Sequence, residues 1–183
     1  MADYNHKEIE KKWQKDWEDK DLYKTSDSVE GRENEYVLVE FPYPSGNLHV
    51  GHWYAFAITD IYARFRKSQG KNVMFPIGFD AFGLPAENAA IKHKLNPRDW
   101  TYKNMESMRS QLKSMGAMFD WSREVATCDP DYYKWTQSLF LELYKAGLVE
   151  KKTTIVNWDP VDKTVLANEQ VLADGRADRS GAK

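Results

Sequence analysis

Apolar residues first fall into step within residues 5–20, where Ile9, Trp13 and Trp17 recur at spacing four among charged neighbours. That spacing puts one narrow apolar stripe on a helix that docks on a core, and Asn5 with Glu8 three residues later supplies its N-cap signal. Residues 25–35 are polar, carry Gly31 and read as a loop. At 36–41 the pattern changes to a nearly continuous β-favouring run, which predicts a strand buried on both faces. Pro42, Pro44 and Gly46 close it, because they cannot extend a ladder. Residues 49–69 return to helical spacing through Ala55, Ile58, Tyr62 and Phe65, with Gly70 placed as the C-terminal cap.

The unit then repeats: a strand at 72–77, a loop from Gly78 to Gly83, and a helix opening at Pro85. Residues 102–119 carry Met105, Met108, Leu112, Met115 and Phe119 at spacings of three and four, the pattern of a helix whose methionines fill a core. Residues 131–146 repeat that form with Trp135, Leu139 and Leu143 before Gly147, and a last strand at 154–158 precedes a polar tail. Alternating strands and helices predict an α/β fold, a parallel sheet flanked by helices.

Composition changes this picture little. With 42% apolar residues and 10 glycines in 183, the chain lies in the globular range and suits one domain with a small appendage. Lys and Arg number 26 against 28 Asp and Glu, a net charge of -2, so any contact with nucleic acid must be local. The single cysteine, Cys128, can form neither an internal disulfide nor a zinc site by itself, which fits a reducing compartment. An apolar run of membrane-spanning length and a signal-peptide pattern are both missing, so a soluble, cytoplasmic protein with no membrane partner is expected.

Two segments carry candidate chemistry. His49-Val50-Gly51-His52 follows a strand and a Pro/Gly turn, at a helix start. Histidines three apart share a helix face, and beside the free N–H groups and positive dipole end they suit a polyphosphate. Gly51 removes a side chain so that a ribose or base can approach. The protein's part in nucleotidyl transfer is mainly to stabilise charge on phosphorus. A zinc site would need further ligands, and His6 and His93 lack the spacing. The second segment, 78–88, ends the second strand at the sheet edge where ligands sit, and Asp80 there is a partner for a cation such as an ammonium group.

The runs FPYPSGNLHVGH and GFDAFGLPAENAA together resemble the leucyl-tRNA synthetase family, class I enzymes whose signature is usually written HIGH. DWSREVATCDPDYYKWTQSLFLELYKAGL and VNWDPVDKTVLANEQV extend the resemblance over nearly the whole chain. It implies a Rossmann-like catalytic domain, its N-terminal part at residues 1–150, with 151–183 opening a connective or editing insertion through a small knob. It implies that His49 and His52 bind ATP phosphates and stabilise the adenylation transition state, and that Gly51 packs under the adenosine. Phe41 and Tyr43 would line the leucine side-chain pocket and Asp80 would hold the leucine ammonium. Leucine, ATP with Mg²⁺ and tRNA(Leu) are the implied ligands, and a monomer is expected.

Relatives with a zinc knob carry Cys where this chain has Asp159 and Asp162, so no zinc is expected here. A KMSKS-like loop, an editing domain and anticodon-binding helices are not within the 183 residues, which makes a fragment of a larger enzyme the expectation. Two alternatives stay open from sequence: a small nucleotidyltransferase, which also places HxGH on a strand-loop-helix unit, and a catalytically silent binding module.

Overall fold

The computed structural model describes residues 4–183 and divides into two compact units between Gln137 and Ser138. In chain order the elements are α1 (His6–Asp19), β1 (Asn34–Tyr36), α2 (Val50–Ser68), β2 (Asn72–Met74), β3 (Pro76–Phe79), α3 (Leu84–His93), α4 (Pro97–Ser114), β4 (Asp120–Ala126), α5 (Pro130–Lys145), β5 (Asn157–Asp159) and β6 (Thr164–Leu166).

The first unit is organised by one extended segment, β2 running into β3. β1 pairs parallel with β2, Asn34 opposite Asn72, and β4 pairs parallel with β3, Phe79 opposite Ala126. Val37 N–H donates to the Met74 carbonyl and Asp120 N–H to the Phe75 carbonyl. Successive carbonyls of an extended chain point to opposite edges, so β1 and β4 flank the β2–β3 segment from either side. Pro76, Ile77, Gly78 and Phe79 are all buried, as a central strand requires. The parallel α/β architecture predicted from the alternation of elements is the one found.

The first strand departs from expectation. Its ladder covers only Asn34–Tyr36, and the following residues alternate, with Val37 and Val39 buried while Leu38 is 61% exposed. The segment nonetheless stays alongside its neighbour, because Asp80 N–H donates to the Pro42 carbonyl at 3.0 Å. The predicted strand at 72–77 is interrupted after Met74 and extends to Phe79, so the loop begins at Asp80. β4 has no counterpart in the sequence reading. Its apolar residues are sparse, and polar groups hold it: Arg109 clasps Glu124 through two bonds of 2.6 and 2.8 Å.

Among the helices, α4 buries Met105, Met108 and Leu112 as predicted, but it starts earlier, at Pro97 under an Asn96 cap, and ends at Ser114. Phe119 is buried from the chain leading into β4. On α2 the predicted stripe is wrong: Ile58, Tyr62 and Phe65 are about half exposed, and Phe56 and Ala63 enter the core. Apolar residues lie around much of this helix, and polar pins choose its orientation. Asp60 accepts Met118 N–H at 2.7 Å, and Arg64 donates to the Gly116 carbonyl at 2.6 Å. Helix α1, capped by Asn5 as expected, lies on the surface. It is fastened by Gln14 to the Ser114 carbonyl, by Glu18 to Lys113, and by Trp17 set edge-on to Tyr23.

α5 crosses the division between units, and its predicted stripe of Trp135, Leu139 and Leu143 is exposed rather than packed. In the second unit β5 starts three residues later than the strand expected from 154 and forms an antiparallel hairpin with β6. Asp159, 1% exposed, closes it: one carboxylate oxygen accepts the Val161 and Asp162 N–H groups, and the other accepts the Ser180 hydroxyl at 2.7 Å.

Candidate active site

The ends of the parallel segments meet the start of α2 around a cavity of about 550 Å³. All six residues singled out from sequence line it: Phe41 and Tyr43 after β1, His49, Gly51 and His52 at the head of α2, and Asp80 after β3. Glu40, Pro42, Thr127 and Tyr132 complete the lining. Glu40 and Pro42 are sequence neighbours of residues already singled out. Thr127 follows β4, the strand that sequence reading does not find, so nothing marked it.

Extended chain feeding directly into a helix fixes the histidine pair. His49 is the N-cap of α2 with extended backbone, and its ring lies over that of His52, centroids 3.9 Å apart. The His49 backbone N–H donates to His52 Nδ1 at 3.2 Å. An accepting Nδ1 carries no proton, so the neutral ring keeps its proton on Nε2, which is left to donate to a ligand. Burial lowers the His52 pKa and the neighbouring His49 lowers it further, while Glu40 acts in the opposite sense. What stands against Gly51 is the His49 ring: a Cβ there would lie 3.0 Å from His49 Cε1 and Nδ1. Glycine at 51 lets that imidazole lie flat across the helix start.

Behind Phe41, Gly78 lets two strands and that ring come together. A Cβ on Gly78 would meet the Val125 carbonyl oxygen at 2.7 Å and Phe41 Cε2 at 2.8 Å. Asp80, one residue past β3, is held at its N–H by Pro42 and at its carboxylate by the Thr127 hydroxyl. Beyond it, Tyr102 donates to Asp129 at 2.5 Å and fastens the turn after β4 to α4; that bond drives the Tyr102 pKa upward.

The parallel sheet thus carries paired histidines at its first strand–helix crossing and a carboxylate at the next strand end. The chain belongs to the class I tRNA synthetases (I, L, M and V), whose family model matches residues 12–176. Within that class it is similar to leucine–tRNA ligases. That of Prochlorococcus marinus strain MIT 9515 is 58% identical over 180 residues, 98% of this chain and 21% of that protein. That of Francisella tularensis subsp. tularensis strain WY96-3418 is 58% identical over the whole chain and 22% of its own length.

The crystal structure of the ternary complex of Agrobacterium radiobacter K84 agnB2 LeuRS, tRNA and LeuAMS superposes with a TM-score of 0.91 at 43% identity, covering 98% of this chain and 23% of that one. Mycobacterium tuberculosis methionyl-tRNA synthetase, in complex with methionyl-adenylate, shares the fold at TM-score 0.67 and 24% identity over 82% of this chain and 30% of its own. The chain thus spans about a fifth of the length of the curated relatives it matches.

Proposed function

We propose that this chain forms the leucine and ATP sites of a leucine–tRNA ligase. The observation that carries the reading is that the histidine pair, Asp80, Phe41 and Tyr43 all line one cavity. Leucine's ammonium would sit on Asp80, with its side chain against Phe41 and Tyr43. ATP would lie along the head of α2, where free N–H groups and the helix dipole favour phosphate.

A leucine carboxylate oxygen would attack the α-phosphorus, the bond from that phosphorus to the β-bridging oxygen would break, and pyrophosphate would leave. A tRNA(Leu) hydroxyl oxygen would then attack the leucyl carbonyl carbon, the bond from that carbon to the phosphate oxygen would break, and AMP would leave. His52 Nε2–H and His49 would donate to the phosphate oxygens as charge grows in the transition state. Their role is electrostatic, and the depressed basicity of His52 suits a neutral donor.

Magnesium would arrive on the ATP phosphates as part of the substrate. Among the described residues no group of three or more His, Cys, Asp or Glu side chains converges to cage a metal. The knob of the second unit would close through Asp159 and Ser180, without zinc. Among the described residues no helix is long and apolar enough to cross a membrane, and a cytoplasmic, monomeric enzyme fits the reading.

Leucine-dependent ATP–pyrophosphate exchange by the full-length gene product tests the proposal. Exchange with leucine is expected, with the KM for leucine raised by Asp80→Asn and turnover lost in His52→Ala. Exchange driven by isoleucine or valine and not by leucine would overturn it. An apolar pocket separates amino acids differing by one methylene by only about 1–3 kcal/mol, so the comparison needs matched concentrations.

A further inference from the structure

The geometry points to Thr127 as the positioning residue for the amino-acid ammonium site, an inference that rests on the reading of Asp80 as the group that receives that ammonium. Thr127 lies one residue beyond β4, and its own N–H is spent on the Phe79 carbonyl at 3.1 Å, which fixes it level with the end of β3. Its hydroxyl is then used twice. It accepts Ala81 N–H at 2.8 Å and donates to Asp80 Oδ1 at 3.3 Å.

A threonine hydroxyl has one proton, and an accepted N–H from Ala81 leaves that proton free for the carboxylate alone. One side chain therefore sets both the course of the backbone after Asp80 and the rotation of the Asp80 carboxylate. The Pro42 carbonyl holds Asp80 N–H from the other side, so the aspartate is suspended between the ends of two flanking segments. With one lone pair of Oδ1 engaged by the hydroxyl, Oδ2 keeps both of its own for a cation. Valine at 127 would keep the shape, remove both bonds and leave the buried Ala81 N–H without its partner.

The test uses pyrophosphate exchange by the full-length gene product together with amide hydrogen exchange. Thr127→Val should raise KM for leucine by about 10- to 100-fold, the scale of losing one hydrogen bond to a charged group, with KM for ATP unmoved. Thr127→Ser should restore leucine affinity. In an Asp80→Asn background, Thr127→Val should add little, since the residue acts through the carboxylate. Equal losses for leucine and ATP, or effects that add fully in the double variant, would show Thr127 to be merely structural and overturn the inference.

Should the parent protein show no leucine-dependent exchange, the functional reading fails, and the Ala81 amide still decides on Thr127. Protection lost in Thr127→Val and kept in Thr127→Ser supports the positioning role, whereas protection unchanged in the valine variant refutes it.

Discussion

Replacing Gly78 with alanine adds a single methyl where β3, β4 and the Phe41 ring pack most closely. The new Cβ would lie 2.7 Å from the Val125 carbonyl oxygen, 2.8 Å from Val125 Cγ2 and 2.8 Å from Phe41 Cε2. All are inside contact distance, and the carbonyl belongs to a ladder that cannot yield without loosening β3 from β4. Overpacking of this kind costs about 1–3 kcal/mol, and the stiffer unfolded chain returns about 0.4–1 kcal/mol, for a net destabilisation of about 1–2 kcal/mol. For a chain of this size that corresponds to a Tm lower by about 2–8 °C.

The Val125 and Phe41 side chains can rotate away where the carbonyl cannot, and because Phe41 lines the cavity, part of the strain should fall on the proposed leucine site. Thermal melts followed by circular dichroism, with leucine affinity measured by calorimetry, give both readouts. Gly46→Ala is the control: nothing lies within 4 Å of its added Cβ and its backbone is not left-handed. A Gly78→Ala protein as stable as the parent, with unchanged leucine affinity, would refute the packing argument.

Other expectations follow from the histidine pair and the knob. Titrated by NMR, His52 should protonate below the ordinary histidine value of about 6.5, with burial the main cause and His49 the second. Because the folded value lies below the unfolded one, its contribution to stability is complete above about pH 6.5 and is lost as pH falls toward the folded value. His49→Asn should move that value part of the way back up; a parent value at or above 6.5 would contradict the geometry. The Asp159 carboxyl is held below the usual range, chiefly by the Ser180 hydroxyl and then by the Asp162 and Val161 N–H groups. Its stabilisation is present above the unfolded value of about 3.9 and is lost as pH falls through the depressed folded one. Ser180→Ala should raise the Asp159 value and speed exchange of the Val161 and Asp162 amides, while a chelator should leave the parent's exchange unchanged; chelator-induced opening would reveal a metal.

The parts of the site legible in sequence were those whose chemistry is local. His49, Gly51 and His52 sit within four residues, and Asp80 follows a run of β-formers, so a strand-to-helix pattern placed them without tertiary knowledge. Thr127 was illegible because β4 owes its position to Arg109–Glu124 and to Asp120, whose carboxylate accepts the Thr25 N–H 95 residues away in the chain. Pairings across such separations leave no period to read. The α2 stripe misled for a related reason: apolar spacing was satisfied by more than one face, and Asp60 and Arg64 decided between them. Methionines 105 and 108 were placed correctly because α4 has only one apolar face to bury.

The fastening of α1 bears on how the molecule comes apart. A helix tied down by a glutamine, an ion pair and one aromatic edge has little apolar area to lose on release, so it forms a low-stability unit that opens well below global unfolding. Gln14, Trp17, Glu18 and their partners all lie outside the lining of the ligand cavity. Release of the first helix would leave the histidines and Asp80 in place, and a protease would find its first cleavable bonds there while the edge that holds the cavity kept its shape.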